Sequence, residues 1–296
     1  MKLSFAMTLL LAASVAGAQE SSTQQVFNGQ VASGAWLRIR SHKGDIRVTE
    51  SSGSTVTVTA RTRYRYEDSD KVTYEVKRDG SNVTICSITV RTRRCDEEGY
   101  DSRGYRDRGD RNDRGEGSAD FTVSLPRGVK LLASTGNGEV DVRGASSNVR
   151  ASSGNGEVNV SGGTEVQASS GNGEVSVEGA QGEVEASTGN GTIRVRTSTG
   201  PVSAHTGNGS IDVEMRSLSK MDDMDFTTGN GSITVAFPSN LSARIDANGS
   251  FRNFETEFPL DMGRGFSGNH IRGTIGRGDA NIRLSTGNGQ IRLRKI

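Results

Sequence analysis

The chain has 296 residues, with 36 Lys and Arg against 35 Asp and Glu. Its formal net charge of +1 gives no reason to look for a polyanionic partner on charge alone. With 39 glycines, 5% aromatic residues and no apolar runs at helical spacing after the first 18 residues, it lacks the material of a helical core, and no later run approaches the ~20 apolar residues of a spanning helix. The length allows one elongated domain or two ordinary ones.

In chain order, the first element reads as a signal peptide over residues 1–18. Lys2 is a short basic start, Leu3 to Val15 are apolar, and Ala16-Gly17-Ala18 is a small-x-small cleavage site. The expected mature chain begins at Gln19 and is exported. No Cys follows the cleavage site, so a lipoprotein anchor is not expected, and the sequence leaves open whether the product stays in the periplasm or reaches the surface or medium.

Residues 19–95 read as an irregular β region that caps the rest of the chain. Trp36-Leu37-Arg38-Ile39, Asp45-Ile46-Arg47-Val48, Thr55-Val56-Thr57-Val58 and Asn82-Val83-Thr84-Ile85 each alternate apolar and polar residues. Cys86 and Cys95 are the two cysteines. In an exported chain they pair most simply as a disulfide; the alternative of two cytosolic thiols is disfavoured by the signal. From 96 to 120 the alternation stops. The run is rich in Asp, Glu, Arg and Gly and reads as a disordered charged loop. Between 96 and 118 it carries five Arg against eight acidic residues, a balance that argues against a nucleic-acid arm.

Residues 121–296 are dominated by a repeat. Gly-Asn-Gly occurs at 136–138, 154–156, 171–173, 189–191, 207–209, 229–231 and 287–289, the first six at intervals of 18, 17, 18, 18 and 22. A short alternating strand follows each turn, and a second strand with inward Val149/Ala151, Val166/Ala168, Val184/Ala186 and Val202/Ala204 lies between turns. Two strands per coil of ~18 residues predict an all-β parallel solenoid whose coils bury their apolar sides on one another. Val and Ala inside predict a thin core. Glycine offers positive φ, and Asn tolerates the left-handed region. Stacking would bring Asn137, Asn155, Asn172, Asn190, Asn208, Asn230 and Asn288 into one column as an amide ladder, with Thr or Ser before each turn as a second column. The competing fold is an antiparallel meander with Asn-Gly as a hairpin turn; the near-identity of alternate turns favours stacking. The longer interval 237–281 holds several aromatics and a degenerate turn, Ala247-Asn248-Gly249, and reads as a C-terminal cap.

"GDIRV" at 44–48, "FTVSLPRGVKLLASTGNGEVDV" at 121–142, "SITVAFPSNLSARIDANGSF" at 232–251 and "LSTGNGQIRLRKI" at 284–296 resemble the bacterial putative-adhesin β-strand-repeat family, exported proteins of unassigned function. The resemblance covers most of 27–296 outside the charged loop. It implies a β-solenoid at the cell envelope, and it supplies no catalytic motif.

No catalytic, cofactor or metal site stands out from the residues. Glu139, Glu157 and Glu174 form a column that could attract Ca²⁺, but Val or Ile follows where calcium-binding β-rolls place Asp, so a solvated strand edge is the better reading. Asp222, Asp223 and Asp225 lie in the insertion behind the 22-residue interval, where acids on a β-helix could act on polysaccharide; a polar surface loop is the plainer alternative. His42, His205 and His270 form no metal or triad pattern. Arg108-Gly109-Asp110 and Arg277-Gly278-Asp279 spell an adhesion tripeptide that a chain of this composition produces by chance. Three functions are compatible with these residues: a non-enzymatic envelope scaffold or adhesin for a polymer, a protein or another copy of itself; a polysaccharide-active enzyme; and an envelope-stress or signalling component acting through a protein. A smooth polar face would favour the first, and a groove with two or three acids plus Arg or Lys the second. Neither a nucleic-acid partner nor a transmembrane segment is expected.

Overall fold

Alternation at period two with Gly-Asn-Gly between strands gives a coil with two sides, and eight such coils stack in the computed structural model. It describes residues 21–64, 71–102, 117–197, 199–218, 223–249, 254–262, 266–267 and 269–296. Coil 1 is Trp36–Lys43 with Ile46–Ser51 and coil 2 is Lys130–Asn137 with Val140–Ala145. Coils 3 to 5 are Val149–Asn155 with Val158–Gly162, Val166–Asn172 with Val175–Glu178, and Val184–Asn190 with Ile193–Thr197. Coils 6 to 8 are Val202–Asn208 with Ile211–Met215, Met224–Asn230 with Ile233–Phe237, and Ala280–Asn288 with Ile291–Lys295. The first strands of the coils lie in a 13-stranded sheet and the second strands in a 12-stranded one, with parallel pairing between coils. The described residues contain no helix. The fold is thus the all-β parallel solenoid rather than the meander.

The core lies between the sheets. Val149, Val166, Val184 and Val202 stand in register on one side, and Val158, Val175, Ile193 and Ile211 on the other, all at most 1% exposed. The column beside them is Ala133, Ala151, Ala168, Ala186 and Ala204 through the middle coils. It widens to Ile39 in coil 1, Phe226 in coil 7 and Leu284 in coil 8. The thin core expected from Val and Ala therefore holds only for the middle; near the ends the sheets accommodate a fully buried Phe.

At each corner three groups lock one coil to the next. Asn155 Nδ2 donates to Asn137 Oδ1 at 3.0 Å, and Asn172, Asn190, Asn208, Asn230 and Asn288 repeat the bond at 2.8 Å, each onto the Asn of the neighbouring coil. The Ser or Thr before the turn points inward. Thr135 Oγ1 donates to Gly44 O at 2.8 Å and Ser153 Oγ to Gly138 O at 2.8 Å, a pattern that continues to Thr286 on Gly231. These hydroxyls are buried, and each crosses from one coil to a carbonyl of the next. The glycines are needed for close approach. A Cβ on Gly154 would meet the carbonyl oxygen of Gly136, and one on Gly156 (φ +148°) that of Gly138. No non-glycine residue has positive φ among those described. The left-handed tolerance of Asn is thus not used; the amide column is.

Both ends are closed by insertions. After coil 1 the chain packs on the outer side of that coil and reaches coil 2 only at Lys130. Ser118–Pro126 pairs in parallel with Ile46–Ser51 and antiparallel with Val56–Arg63, which pairs in turn with Ser21–Gly29. On the other sheet Asn82–Ile88 lies beside Trp36–Lys43, with Thr73–Asp79 at the edge. The stack therefore starts at Trp36, inside the region 19–95 expected to be only a cap, because Leu37 and Ile39 continue the inward columns of coil 2. The segment 96–120, expected as one loop, carries strand at both ends. Tyr100–Ser102 pairs with Thr92–Cys95 and Ser118 opens Ser118–Pro126; residues 103–116 lie outside the described residues. Asp120 is held there by Arg63 Nη2 at 2.7 Å. At the far end coil 8 lies directly on coil 7. The intervening chain packs beyond it, as Ala243–Asn248 and Phe254–Thr256 pair with the two strands of coil 8. His270–Ile275 runs antiparallel outside Ala243–Asn248. Antiparallel closing strands, one of them (Thr73–Asp79) studded with charge, blunt edges that would otherwise invite further pairing. The signal region lies outside the described residues.

Gly156→Ala should destabilise the chain by about 3 kcal/mol, because strain and a backbone clash coincide. Asn172→Ala, which removes two exposed ladder bonds, should cost about 1–2 kcal/mol. Urea unfolding of both variants checks the order. A larger loss for the Asn variant would mean that the ladder rather than the backbone contact sets the stack.

Candidate functional site

The outward face of the 13-stranded sheet is a floor between two walls. Over coils 2 to 5 the column next to the turns is Ser134, Ser152, Ser169 and Ser187, in register, with Ser152 Oγ donating to Ser134 Oγ at 2.9 Å. His205, half exposed, continues it in coil 6.

The wall at the coil-1 end is the hairpin Thr92–Cys95/Tyr100–Ser102. Cys86 stands in register with Arg40 on the outward side, so its disulfide to Cys95 draws the hairpin onto that face. Tyr100 stacks on His42 with centroids 6.3 Å apart and donates from Oη to Ser87 O at 3.2 Å. Beneath it Arg40 is 7% exposed and donates from Nη2 to Glu97 O at 2.9 Å. Burial lowers the Arg40 pKa, Arg38 beside it adds to that, and Asp96 opposes it. Backbone N–H donation from Gly99 holds the Asp96 carboxyl below its ordinary value, helped by Arg94 and the Glu98 N–H. Glu97 is raised, because its carboxyl is hydrogen-bonded to the Asp79 carboxylate and repelled by it.

The wall at the coil-8 end follows from Gly273. A Cβ there would lie 2.6 Å from Leu260 Cγ, so the missing side chain lets Leu260 pack in. Asp261 then pairs with Thr274 by two backbone bonds of 2.9 and 3.0 Å, and Met262 stands exposed beside it. Between this wall and coil 7 lies a concavity of about 540 Å³, lined by Asp223, Arg244, Asp246, Arg272, Asn281 and Arg283 among others. Each polar group is fixed by a neighbour. Asn281 Nδ2 donates to Asp223 Oδ1 at 2.7 Å, and Arg244 Nε to Asn281 Oδ1 at 3.0 Å. Asp246 accepts from Arg272 Nε at 3.3 Å and lies 2.7 Å from His270 Nε2. Arg283 Nη1 donates to Asp225 Oδ2 at 3.3 Å, with Thr227 Oγ1 on the same carboxylate at 2.8 Å.

The residues singled out in the sequence distribute unevenly over this surface. The seven ladder asparagines form the exposed corner beside the floor, and Cys86 and Cys95 are joined. Asp223 and Asp225 stand at the lip of the concavity; Asp222 lies outside the described residues. His205 sits 3.7 Å from Asp225 and His270 joins Asp246, while His42 is at the opposite wall. Of the Glu column, Glu139 accepts from Asn159 at 3.2 Å and Glu174 pairs with Arg194. Among the described residues no group of three or more His, Cys, Asp or Glu is placed to hold a metal ion. Arg277 and Asp279 pair with each other across a tight turn, and Arg108-Gly109-Asp110 lies outside the described residues. Arg244, Asp246, Arg272, Asn281 and Arg283 were not singled out. They carry no motif, and only the return of coil 8 beside coil 7 brings them together.

These features define a capped, two-sheet parallel β-solenoid with polar outward columns. The chain belongs to the Toastrack DUF4097 family, whose model matches residues 35–294. Among solved structures it is similar to a putative cell adhesion protein from Clostridium sporogenes, at 12% identity over 94% of this chain and 100% of that one with a TM-score of 0.23. It is also similar to a putative adhesin from Bacteroides fragilis, at 12% identity over 94% and 97% with a TM-score of 0.37. No curated protein matches.

The hairpin wall carries two carboxyls shifted in opposite directions. The Asp96 contribution to stability is full above the ordinary aspartate value of 3.8 and is lost as pH falls through its lowered folded value. The Glu97 contribution is full below the ordinary glutamate value of 4.5 and is lost as pH rises through its raised one. Side-chain carboxyl NMR titration should therefore find Asp96 below and Glu97 above those values, and Asp79→Asn should bring Glu97 back down. Coincident titration of the two groups would contradict this geometry.

Proposed function

We propose that this chain is an exported, non-enzymatic cell-envelope protein, a rigid adhesin-like scaffold whose outward face binds an envelope polymer or protein. One observation carries the reading: outward side chains stand in register from coil to coil about 4.8 Å apart, Ser over coils 2 to 5 and Asn over coils 2 to 8. Such a face suits a repetitive partner through many weak contacts. The Cys86–Cys95 disulfide supports an oxidising compartment, in line with the signal peptide expected at residues 1–18.

The concavity favours a second reading, a polysaccharide-active enzyme, since it combines three acids with arginines. A general acid needs a desolvated carboxyl, whereas Asp223 and Asp261 are exposed and Asp246 is shared between Arg272 and His270. Binding is therefore the better account. The third reading, a signalling component acting through a protein, predicts a protein partner rather than a polymer.

Co-sedimentation of residues 19–296 with isolated sacculi, membrane vesicles and whole cells tests the scaffold. Saturable pelleting with one fraction is expected. The absence of pelleting with all three would overturn it, and release of new sugar ends from any polysaccharide would transfer the case to the enzyme.

A further inference from the structure

We propose that the concavity at the coil-8 end is a subsite for an uncharged sugar unit of a glycan, with the serine floor receiving the adjoining units. This rests on the outward face binding an envelope polymer, and it names the polymer's chemistry.

The argument is one of matching donors and acceptors. Arg244, Arg272 and Arg283 face Asp223, Asp246 and Asp261, so the lining carries no net charge to attract a phosphate or sulfate. A metal ion has no ligand cluster among the described residues. An extended peptide adding as a strand would need a free edge, and the strands under the concavity are paired on both sides. What remains is an array of planar amide, carboxylate and guanidinium groups, pre-oriented by their bonds to one another and each with further hydrogen-bonding capacity. Vicinal hydroxyls donate and accept in pairs and fit that array. Met262, exposed on the wall, offers an apolar surface to the C–H face of a ring. From there the outward column runs through Thr227 and His205 to Ser187 and Ser169 toward the hairpin, one hydrogen-bonding side chain per coil, a spacing of about 4.8 Å.

The test is binding of the mature chain to an immobilised panel of neutral and acidic glycans, then titration calorimetry with the tightest binder. Saturable binding of a neutral glycan is expected, changing less than about twofold between 0.1 and 0.5 M salt because no ion pair is formed. Asn281→Ala should weaken it at least about tenfold, a loss of about 1.4 kcal/mol or more, and Met262→Ala should weaken it independently. Arg196→Ala on the opposite sheet should leave it unchanged, with unfolding midpoints checked for all three. Binding confined to acidic glycans, binding indifferent to both groove variants, or no glycan bound would overturn the inference. If wild type and Asn281→Ala pellet equally with an envelope fraction, the subsite fails while the scaffold stands. If wild type does not pellet at all, the scaffold itself fails.

Discussion

Everything in this molecule depends on two backbones meeting at the Gly-Asn-Gly corner at the distance of one strand spacing. No Cβ fits between Gly154 and the carbonyl of Gly136, nor between Gly156 and that of Gly138. Once glycine permits the approach, the buried hydroxyl of Ser153 reaches a carbonyl of the next coil and the Asn155 amide reaches its neighbour. Each bond is modest, about 1 kcal/mol net. Repetition and shared register make them act together, since a coil that slipped by one residue would turn every Val outward. A core as slender as Val and Ala gains its stability from length, each coil burying its apolar columns on the two beside it.

The same regularity creates the problem that the two insertions solve. A parallel stack ends in rows of unpaired peptide groups, and those rows would recruit further copies. The chain answers with antiparallel strands at the coil-1 end and with His270–Ile275 at the other. These closures also shape the surface. The disulfide-tied hairpin lies over the sheet at one end and the Asp261 bridge borders it at the other, leaving a bounded floor. The proposed binding face is thus bounded where the repeat is broken.

What the sequence made legible was what the repeat carries: period-two alternation, coil length, the corner column and the Val/Ala interior. It also pointed to Cys86 and Cys95, because few other arrangements suit two cysteines in a chain that reads as exported. The amide ladder it expected forms, and Gly138 and Gly156 take the positive φ it assigned to glycine; what it overlooked is that Gly154 and Gly156 also serve close approach, and the left-handed tolerance it lent Asn goes unused. It placed the start of the stack too late, because coil 1 carries His42-Lys43-Gly44 where the others carry Gly-Asn-Gly. Of the concavity the sequence marked only the acidic insertion with Asp223 and Asp225. Arg244, Arg272 and Arg283 are ordinary surface residues until the topology sets Asp225 beside Arg283, 58 residues away.

That topology also sets an order of events. Ala243–Asn248 and Phe254–Thr256 leave the ribosome before Ala280–Asn288 and Ile291–Lys295, yet those later strands are the template on which they pair. Coil 1 likewise waits for coil 2 through 78 intervening residues, 52–129. Coils 2 to 7 can grow one on another as they emerge, by short-range contacts that form fast, whereas both closures are long-range events. The molecule therefore zips from its middle and seals at its ends, and the coil-8 end closes only once Ala280–Asn288 and Ile291–Lys295 have followed the strands that pair on them.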